Sequence, residues 1–292
     1  MAFKSGFVNI VGCPNVGKST LMNALVGERL SIITSKAQTT RHRILGIVTG
    51  ENYQIVYSDT PGIIKPNYKL QEKMMKFVDT TFSDADVFLV ITDIFEDIAL
   101  ENNYLERLQK TDTPILLLIN KMDIATLEKV AEKEQEWRKK LPKAHLLPVS
   151  ALKHINLDMV TEKIIELLPE GQPYYENDTL TDKQERFFVT EIIREKILQN
   201  YKQEIPYAVE VVVNSFKESE DIIRIEAIIL VERDSQKGII IGNKGAALKK
   251  TGTEARIAME AFFKKKIFLQ LFVKVDPDWR NNERQLKRYG YE

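Results

Sequence analysis

The sequence is short of the residues on which several kinds of chemistry depend. It has one cysteine, Cys13, so no disulfide can form within the chain and a disulfide-stapled scaffold is excluded. Its three histidines, His42, His145 and His154, are scattered and lack the spacing of a metal site. Its apolar runs are brief: Ile115–Ile119 is typical, whereas a membrane-spanning helix needs about 20 apolar residues. The opening residues, Met1-Ala2-Phe3-Lys4-Ser5-Gly6, show no apolar signal region, so a soluble cytoplasmic protein is expected. Net charge is absent too. Lys plus Arg is 42 and Asp plus Glu is 42, which excludes a histone-like polycation and an acidic tail. No internal repeat or low-complexity tract is present.

What is there is globular: 43% hydrophobic and 29% charged residues in a chain of 292, long enough for two domains at roughly 150 residues each. Up to about residue 170, short apolar runs (Phe7–Val11, Ile44–Val48, Tyr53–Tyr57, Val87–Ile91, Ile115–Ile119, Leu146–Val149) alternate with helical patterns near 19–26, 70–82, 100–110, 127–141 and 157–168. That alternation predicts an α/β domain with a mixed, mostly parallel sheet. Pro169-Glu170-Gly171-Gln172-Pro173 cannot continue a helix, so 1–170 is expected as one domain and 171–182 as a linker. Thr181 and Gln184 form a capping-box pattern ahead of an amphipathic run to Tyr201. The remainder, 183–292, reads helix, strand, strand, helix, turn, helix, strand, an α+β domain. From Arg233 onward, fourteen Lys and Arg face seven Asp and Glu, so this end is basic (+7) and suited to a polyanion.

Four motifs carry the chemistry. Gly12-Cys13-Pro14-Asn15-Val16-Gly17-Lys18-Ser19 fits G-x-x-x-x-G-K-[ST] between a strand and a helix. Backbone N–H groups there converge on phosphate oxygens, Lys18 adds charge and the Ser19 hydroxyl can ligate Mg2+. Asp59-Thr60-Pro61-Gly62 follows the strand ending at Tyr57, where a carboxylate can hold Mg2+ through water and the Gly62 N–H can meet a γ-phosphate. Asn120-Lys121-Met122-Asp123 ends another strand. The Asp123 carboxylate can accept from guanine N1 and its exocyclic amine, a donor pair adenine lacks; Lys121 can cover the base and Asn120 can tie this loop to the P-loop. Ser150-Ala151 ends the last strand, placing the Ala151 N–H toward guanine O6. The nucleotide candidates are therefore Gly12, Asn15, Val16, Gly17, Lys18, Ser19, Thr20, Asp59, Thr60, Pro61, Gly62, Asn120, Lys121, Asp123, Ser150 and Ala151.

The order of these motifs resembles the translation-factor class of P-loop GTPases. Ser35-Lys36-Ala37-Gln38-Thr39-Thr40-Arg41-His42-Arg43, with Thr20 after the P-loop, narrows the resemblance to the Era family of bacterial GTPases. The resemblance implies GTP and GDP as ligands, and Mg2+ held by Ser19, Thr40 and Asp59. Thr40 would be the first switch threonine, with Thr39 adjacent to it. Many GTPases place a glutamine after the D-x-x-G glycine to orient water; here Ile63 stands there and cannot. Hydrolysis is then slow, or another charge such as K+ assists it, with Asn15 resembling the residue that holds K+ in related enzymes. The catalytic candidates are Lys18, Thr40, Gly62 and Asn15.

Near the C-terminus, Ile239-Ile240-Ile241-Gly242-Asn243-Lys244-Gly245 joins two helical segments. A G-x-x-G turn lets backbone approach closely while Lys244 meets phosphate, clamping about four nucleotides of single-stranded RNA. With Lys249 and Lys250 on the next helix, Arg256, and Lys264-Lys265-Lys266 beyond it, this resembles a type II KH domain. The RNA candidates are Ile241, Gly242, Asn243, Lys244, Gly245, Lys249 and Lys250. The resemblance implies the 3′ end of 16S rRNA and the 30S subunit as partners, action in rRNA processing and small-subunit biogenesis, a monomer, and peripheral association with the cytoplasmic membrane. The residues themselves leave two alternatives: a ribosome-associated GTPase whose second domain binds protein, and a nucleotide-gated scaffold with negligible turnover. Trp137, Phe262 and Phe263 are expected in packing.

Overall fold

The structure, a computed structural model, describes residues 2–95 and 102–291. The chain divides into two compact units, 1–67 with 74–182, and 68–73 with 183–292. The first unit holds β1 (Lys4–Val11), α1 (Lys18–Val26), β2 (Ile44–Thr49), β3 (Tyr53–Asp59), most of α2 (Lys69–Asp84), β4 (Val87–Asp93), α3 (Asn102–Lys110), β5 (Ile115–Asn120), α4 (Leu127–Lys140), β6 (His145–Pro148) and α5 (Leu157–Leu167). The start of the helix expected near Leu100 lies outside the described residues.

Six strands form one sheet in the order β2-β3-β1-β4-β5-β6; only β2 runs antiparallel to its neighbour. Every residue of β4 and β5 is buried, because a parallel strand flanked by helices has no solvent face. That explains why Val87–Ile91 and Ile115–Ile119 read as continuous apolar runs rather than as alternations. Strand order reverses between β1 and β4. The crevice outside the carboxyl ends at such a reversal is where α/β sheets bind ligands, and the P-loop leaves β1 there.

In the second unit, α6 (Glu185–Asn200), β7 (Glu210–Glu218), β8 (Ile222–Val231), α7 (Asp234–Ile241), α8 (Ala246–Phe263), β9 (Lys266–Val275) and α9 (Glu283–Arg288) follow in order. The sheet is β7-β8-β9, with β7 antiparallel and β9 parallel to β8. A parallel pair needs a crossover, and α7, the glycine turn and α8 supply it. Burial alternates along β8, so one face packs on Ile193, Ile197, Ala255 and Met259 while the other is half-buried, with Arg224 exposed. At the end of this unit Trp279 is fully buried, its Nε1 donating to the Ala208 carbonyl at 3.1 Å.

Three expectations change. Segment 171–182 is not a free linker but a strap on the first unit. The Gly171 N–H donates to Phe3 O, and Ser5 Oγ donates to Gln172 O. The Tyr174 and Tyr175 N–H groups both donate to Gln54 Oε1, and the Ile47 N–H donates to Leu180 O. The strap thus pairs with the otherwise free edge of β2. For the same reason Thr181 does not cap α6. Its hydroxyl donates to Leu45 O, and the helix starts at Glu185 with no side-chain cap at Gln184. Finally, residues 68–73 cluster with the second unit, where Lys69 Nζ lies 3.3 Å from Glu283 Oε1.

Gln54 is fully buried and is the polar anchor of the strap, since its Nε2 also donates to Tyr175 O. Gln54→Ala strands those backbone groups and is expected to cost the first unit about 2–3 kcal/mol. Urea unfolding should then begin earlier, with proteolytic nicking within 171–182. An unchanged midpoint and unchanged cleavage would show that the strap is held elsewhere.

Candidate functional site

Four loops at the carboxyl ends of β1, β3, β5 and β6, together with the loop before β2, line a cleft of about 580 Å³. The P-loop sets its floor. Gly17 sits at φ 104°, and a Cβ there would lie 2.3 Å from Asn120 Nδ2, so both backbone shape and space require glycine. α1 then begins at Lys18 with no acidic residue in its first turn, leaving its positive end open to an anion. Lys18 is buried, its Nζ donating to Gly12 O at 3.2 Å and Cys13 O at 2.7 Å.

Asn120 braces the cleft. Its Nδ2 donates to Val16 O at 2.8 Å, and its Oδ1 accepts the Ala151 N–H at 2.9 Å. One amide thereby joins the P-loop, the β5 loop and the β6 loop. This corrects the role expected for Ala151: its N–H is taken by Asn120 rather than aimed at a base. Lys121 stands in the left-handed region at φ 65°, which turns its side chain back across the cleft. Its Nζ donates to Asn15 O at 3.0 Å and to Asp93 Oδ2 at 2.5 Å. Asp123, Ile124, Ser150 and Leu152 line the same end; Ile124 and Leu152 are 61% and 72% exposed, presenting apolar side chains to the cleft. Neither was legible in the sequence as a site residue, since each reads as a surface position beside a motif.

At the other end three oxygen-bearing side chains converge. Ser19 Oγ donates to Asp59 Oδ2 at 2.7 Å, and Thr40 Oγ1 lies 2.9 Å from Ser19 Oγ and 3.4 Å from Asp59 Oδ2. Thr39 points elsewhere, to Thr34 Oγ1 and Lys36 O at 2.6 Å each. Asp59 is fully buried, and desolvation holds its carboxyl above the usual range despite the Ser19 hydroxyl and the Lys18 charge. Its Oδ1 has no hydrogen-bond partner among the described residues. One carboxylate, two hydroxyls and no His or Cys suit a hard, oxygen-seeking cation.

Gly62 lines the cleft where its backbone meets Pro14, 2.8 Å from a built Cβ. Thr60 and Pro61 do not line it; the Thr60 hydroxyl donates to Ile10 O at 2.8 Å and fixes β3 to β1. Ile63 is buried with its N–H on Gly12 O. The loop before β2 contributes Ile32, Ile33, Ser35 and Gln38 to the wall. Ile32 and Ile33 carry no motif, and Ser35 and Gln38 lie in the stretch that carries the family resemblance, outside the site candidates read from the sequence. The visible signal is Asn23 on α1, whose side chain binds the backbone of Leu30 and Ser31 and starts the loop.

In the second unit, Gly242 sits at φ 71° with a built Cβ 2.6 Å from Ala247 Cβ, so the turn between α7 and α8 also requires glycine. Lys244 at its tip is exposed. A shallow groove runs from Gly245 along Leu248, Lys249 and Arg256 of α8 to Leu269 and Leu271 of β9. Lys250 does not line it; its Nζ lies 3.9 Å from Glu254. Arg256 does, held by Glu260 at 2.8 Å. Tyr201, just past the end of α6, braces the turn, its hydroxyl donating to Ile240 O at 2.8 Å and accepting from Thr251 Oγ1 at 3.2 Å.

A phosphate loop, a guanine-type loop and a G-x-x-G turn in an α-β-β-α-α-β unit define a P-loop GTPase joined to a KH domain. Family models agree: one described as a 50S ribosome-binding GTPase matches residues 7–121, and one described as a KH domain matches 204–280. The chain is 44% identical over 291 residues to GTPase Era of Clostridium kluyveri, covering 99% of each. It is 45% identical over 292 residues to GTPase Era of Syntrophus aciditrophicus, covering 99% of this chain and 95% of the relative. It superposes with a TM-score of 0.94, at 38% identity and 99% of both chains, on Era crystallised with MgGDPNP and nucleotides 1506–1542 of 16S ribosomal RNA. The same values hold for an Aquifex aeolicus Era variant bound to GDP.AlF4-. The chain belongs to the Era GTPase family.

Removing the Asn120 brace should be felt in the nucleotide site. Asn120→Ala is expected to weaken GTP binding at least tenfold, about 1.4 kcal/mol, measured by calorimetry. Binding at parental strength would mean that the P-loop holds its shape unaided.

Proposed function

We propose that this protein binds and hydrolyses GTP in its first unit and grips single-stranded 16S rRNA near the 3′ end in its second, acting in small-subunit biogenesis from the cytoplasm. The observation that carries the reading is the joint presence of the Asn120-braced cleft and the G-x-x-G groove on one chain, in a fold that matches over its full length an Era structure holding both a GTP analogue and that RNA. The likeness to a 50S-binding family covers only the first unit, whereas the RNA-bearing neighbour covers both, so the small subunit is favoured.

Asp123 selects the base by accepting two hydrogen bonds that only guanine offers, and the Lys121 stem, Ile124 and Leu152 cover its faces. The P-loop amides and Lys18 hold the phosphates. Ser19, Thr40 and Asp59 would hold Mg2+, which would supply charge neutralisation to the phosphates. Thr40 meeting this cluster makes the loop before β2 responsive to what fills it. The Gly62 N–H faces the γ-phosphate position. Since Ile63 is buried and apolar, no side chain at that position orients water. We place K+ beside Asn15, exposed at the cleft with φ 66°, as the missing charge. Lys249 and Arg256 line the RNA groove with cations beside the apolar Leu269 and Leu271, and Lys244 stands exposed on the turn that precedes it. The protein acts as a monomer in this reading, and membrane association is not part of it.

Base selection tests the reading directly. Asp123→Asn should lower GTP affinity by a hundredfold or more and raise xanthosine triphosphate affinity, because the amide reverses one hydrogen bond. GTP affinity equal to the parent would remove Asp123 from the base. Turnover should rise about tenfold in KCl over NaCl; equal rates would exclude the K+ assignment.

A further inference from the structure

The second unit's sheet has one face that the helices do not cover. Along β9, residues 267, 269, 271 and 273 turn toward the helical core, while Lys266, Phe268, Gln270, Phe272 and Lys274 stand on the other face. All five are exposed, and the two phenylalanines are 45% and 46% exposed. Scattered exposed apolar residues need no explanation. Two aromatic rings on one face of one strand, an amide between them and a lysine at each end, form an ordered row instead. Their Cα atoms are about 13 Å apart at strand rise.

Neighbouring strands extend the row. Phe268 pairs with Arg224, which pairs with Lys217 on β7. The Arg224 guanidinium lies 5.6 Å from the Phe268 ring centre. Phe272 pairs with Ile228, and Gln270 with Glu226, whose carboxylate accepts from Asn214 Nδ2 at 2.7 Å. Four cations (Lys266, Lys274, Arg224 and Lys217) thus stand on this face with one half-buried carboxylate, Glu226, a balance that suits a polyanion rather than an apolar protein surface.

We propose that this outer face is a second single-stranded RNA site, continuous with the G-x-x-G groove. Leu269 and Leu271 of β9 line the groove, and β9 is the edge strand of its sheet. A strand leaving the groove therefore has only that edge to pass before it meets Phe268 and Phe272. The rings stack on bases, Gln270 bonds a base edge, and Lys266, Lys274 and Arg224 meet phosphates, the division of labour by which sheets bind single strands elsewhere.

The inference rests on the groove being an RNA site, and one experiment separates the two. The probes are the tightest-binding five-nucleotide segment of 16S rRNA nucleotides 1506–1542 and the same segment extended by eight nucleotides on either side. The full-length protein and a Phe268→Ala/Phe272→Ala variant are compared. Parental binding of the five-mer by both proteins, tighter binding of one extended probe by the parent, and loss of that gain by about tenfold or more in the variant are expected. A Phe272→Trp variant should show its fluorescence quenched by that extended probe and not by the five-mer. Five-mer binding with no gain on extension, or a gain the variant keeps, overturns the outer site and leaves the groove standing. A variant that changes only self-association in sedimentation overturns it in favour of a second copy as occupant. No binding of any probe overturns both.

Discussion

A loop that binds phosphate through its backbone leaves its N–H groups unpaired, so something outside the loop must hold its shape. Here the buried amide of Asn120 does so, by joining the Val16 carbonyl to the Ala151 N–H. Both partners are backbone groups on other loops, which makes the cleft one piece: phosphate floor and base wall cannot shift independently. The second unit meets the same constraint by the same means. The Tyr201 hydroxyl links the last turn of α7 to α8 and holds open the turn that contains Gly242. In each unit a buried polar side chain from outside a glycine-bounded loop sets that loop's geometry.

Around that brace the first unit divides its labour by depth. Asp59 lies fully buried, with one oxygen unpaired among the described residues, and Thr40 reaches it from a loop that has no regular structure of its own. Lys121 and Asp93 pair across the cleft at its wetter end, where the Lys121 stem forms part of the wall. The charged groups of this site are thus arranged from a dry metal-side cluster to a half-exposed base side. That order fits a nucleotide whose phosphates need charge neutralisation and whose base needs selection.

Much of this was legible in the sequence. The P-loop, Asp59–Gly62 and Asn120–Asp123 are contiguous, and the physics that demands each of them is local: a glycine at positive φ, a carboxylate at a strand end, an amide beside a phosphate loop. The continuous apolar runs of β4 and β5 announced a sheet covered on both faces. What escaped was set by tertiary contact. Thr181 and Gln184 look like a helix cap, but the open edge of β2 offers Thr181 a backbone partner and wins it. Pro169–Pro173 reads as a linker because breakers say only that no helix continues, not that Gln54 waits to bind the chain beyond them. Lys250 and Arg256 both lie on α8; which one faces the groove depends on helix rotation and on Glu254 and Glu260.

The account stands or falls on the wall that reads the base. Calorimetric titration of the intact chain with GTP and with ATP, at equal Mg2+, should give GTP binding at least about a hundredfold tighter. Equal affinities for the two nucleotides would contradict it, whatever the strength of either.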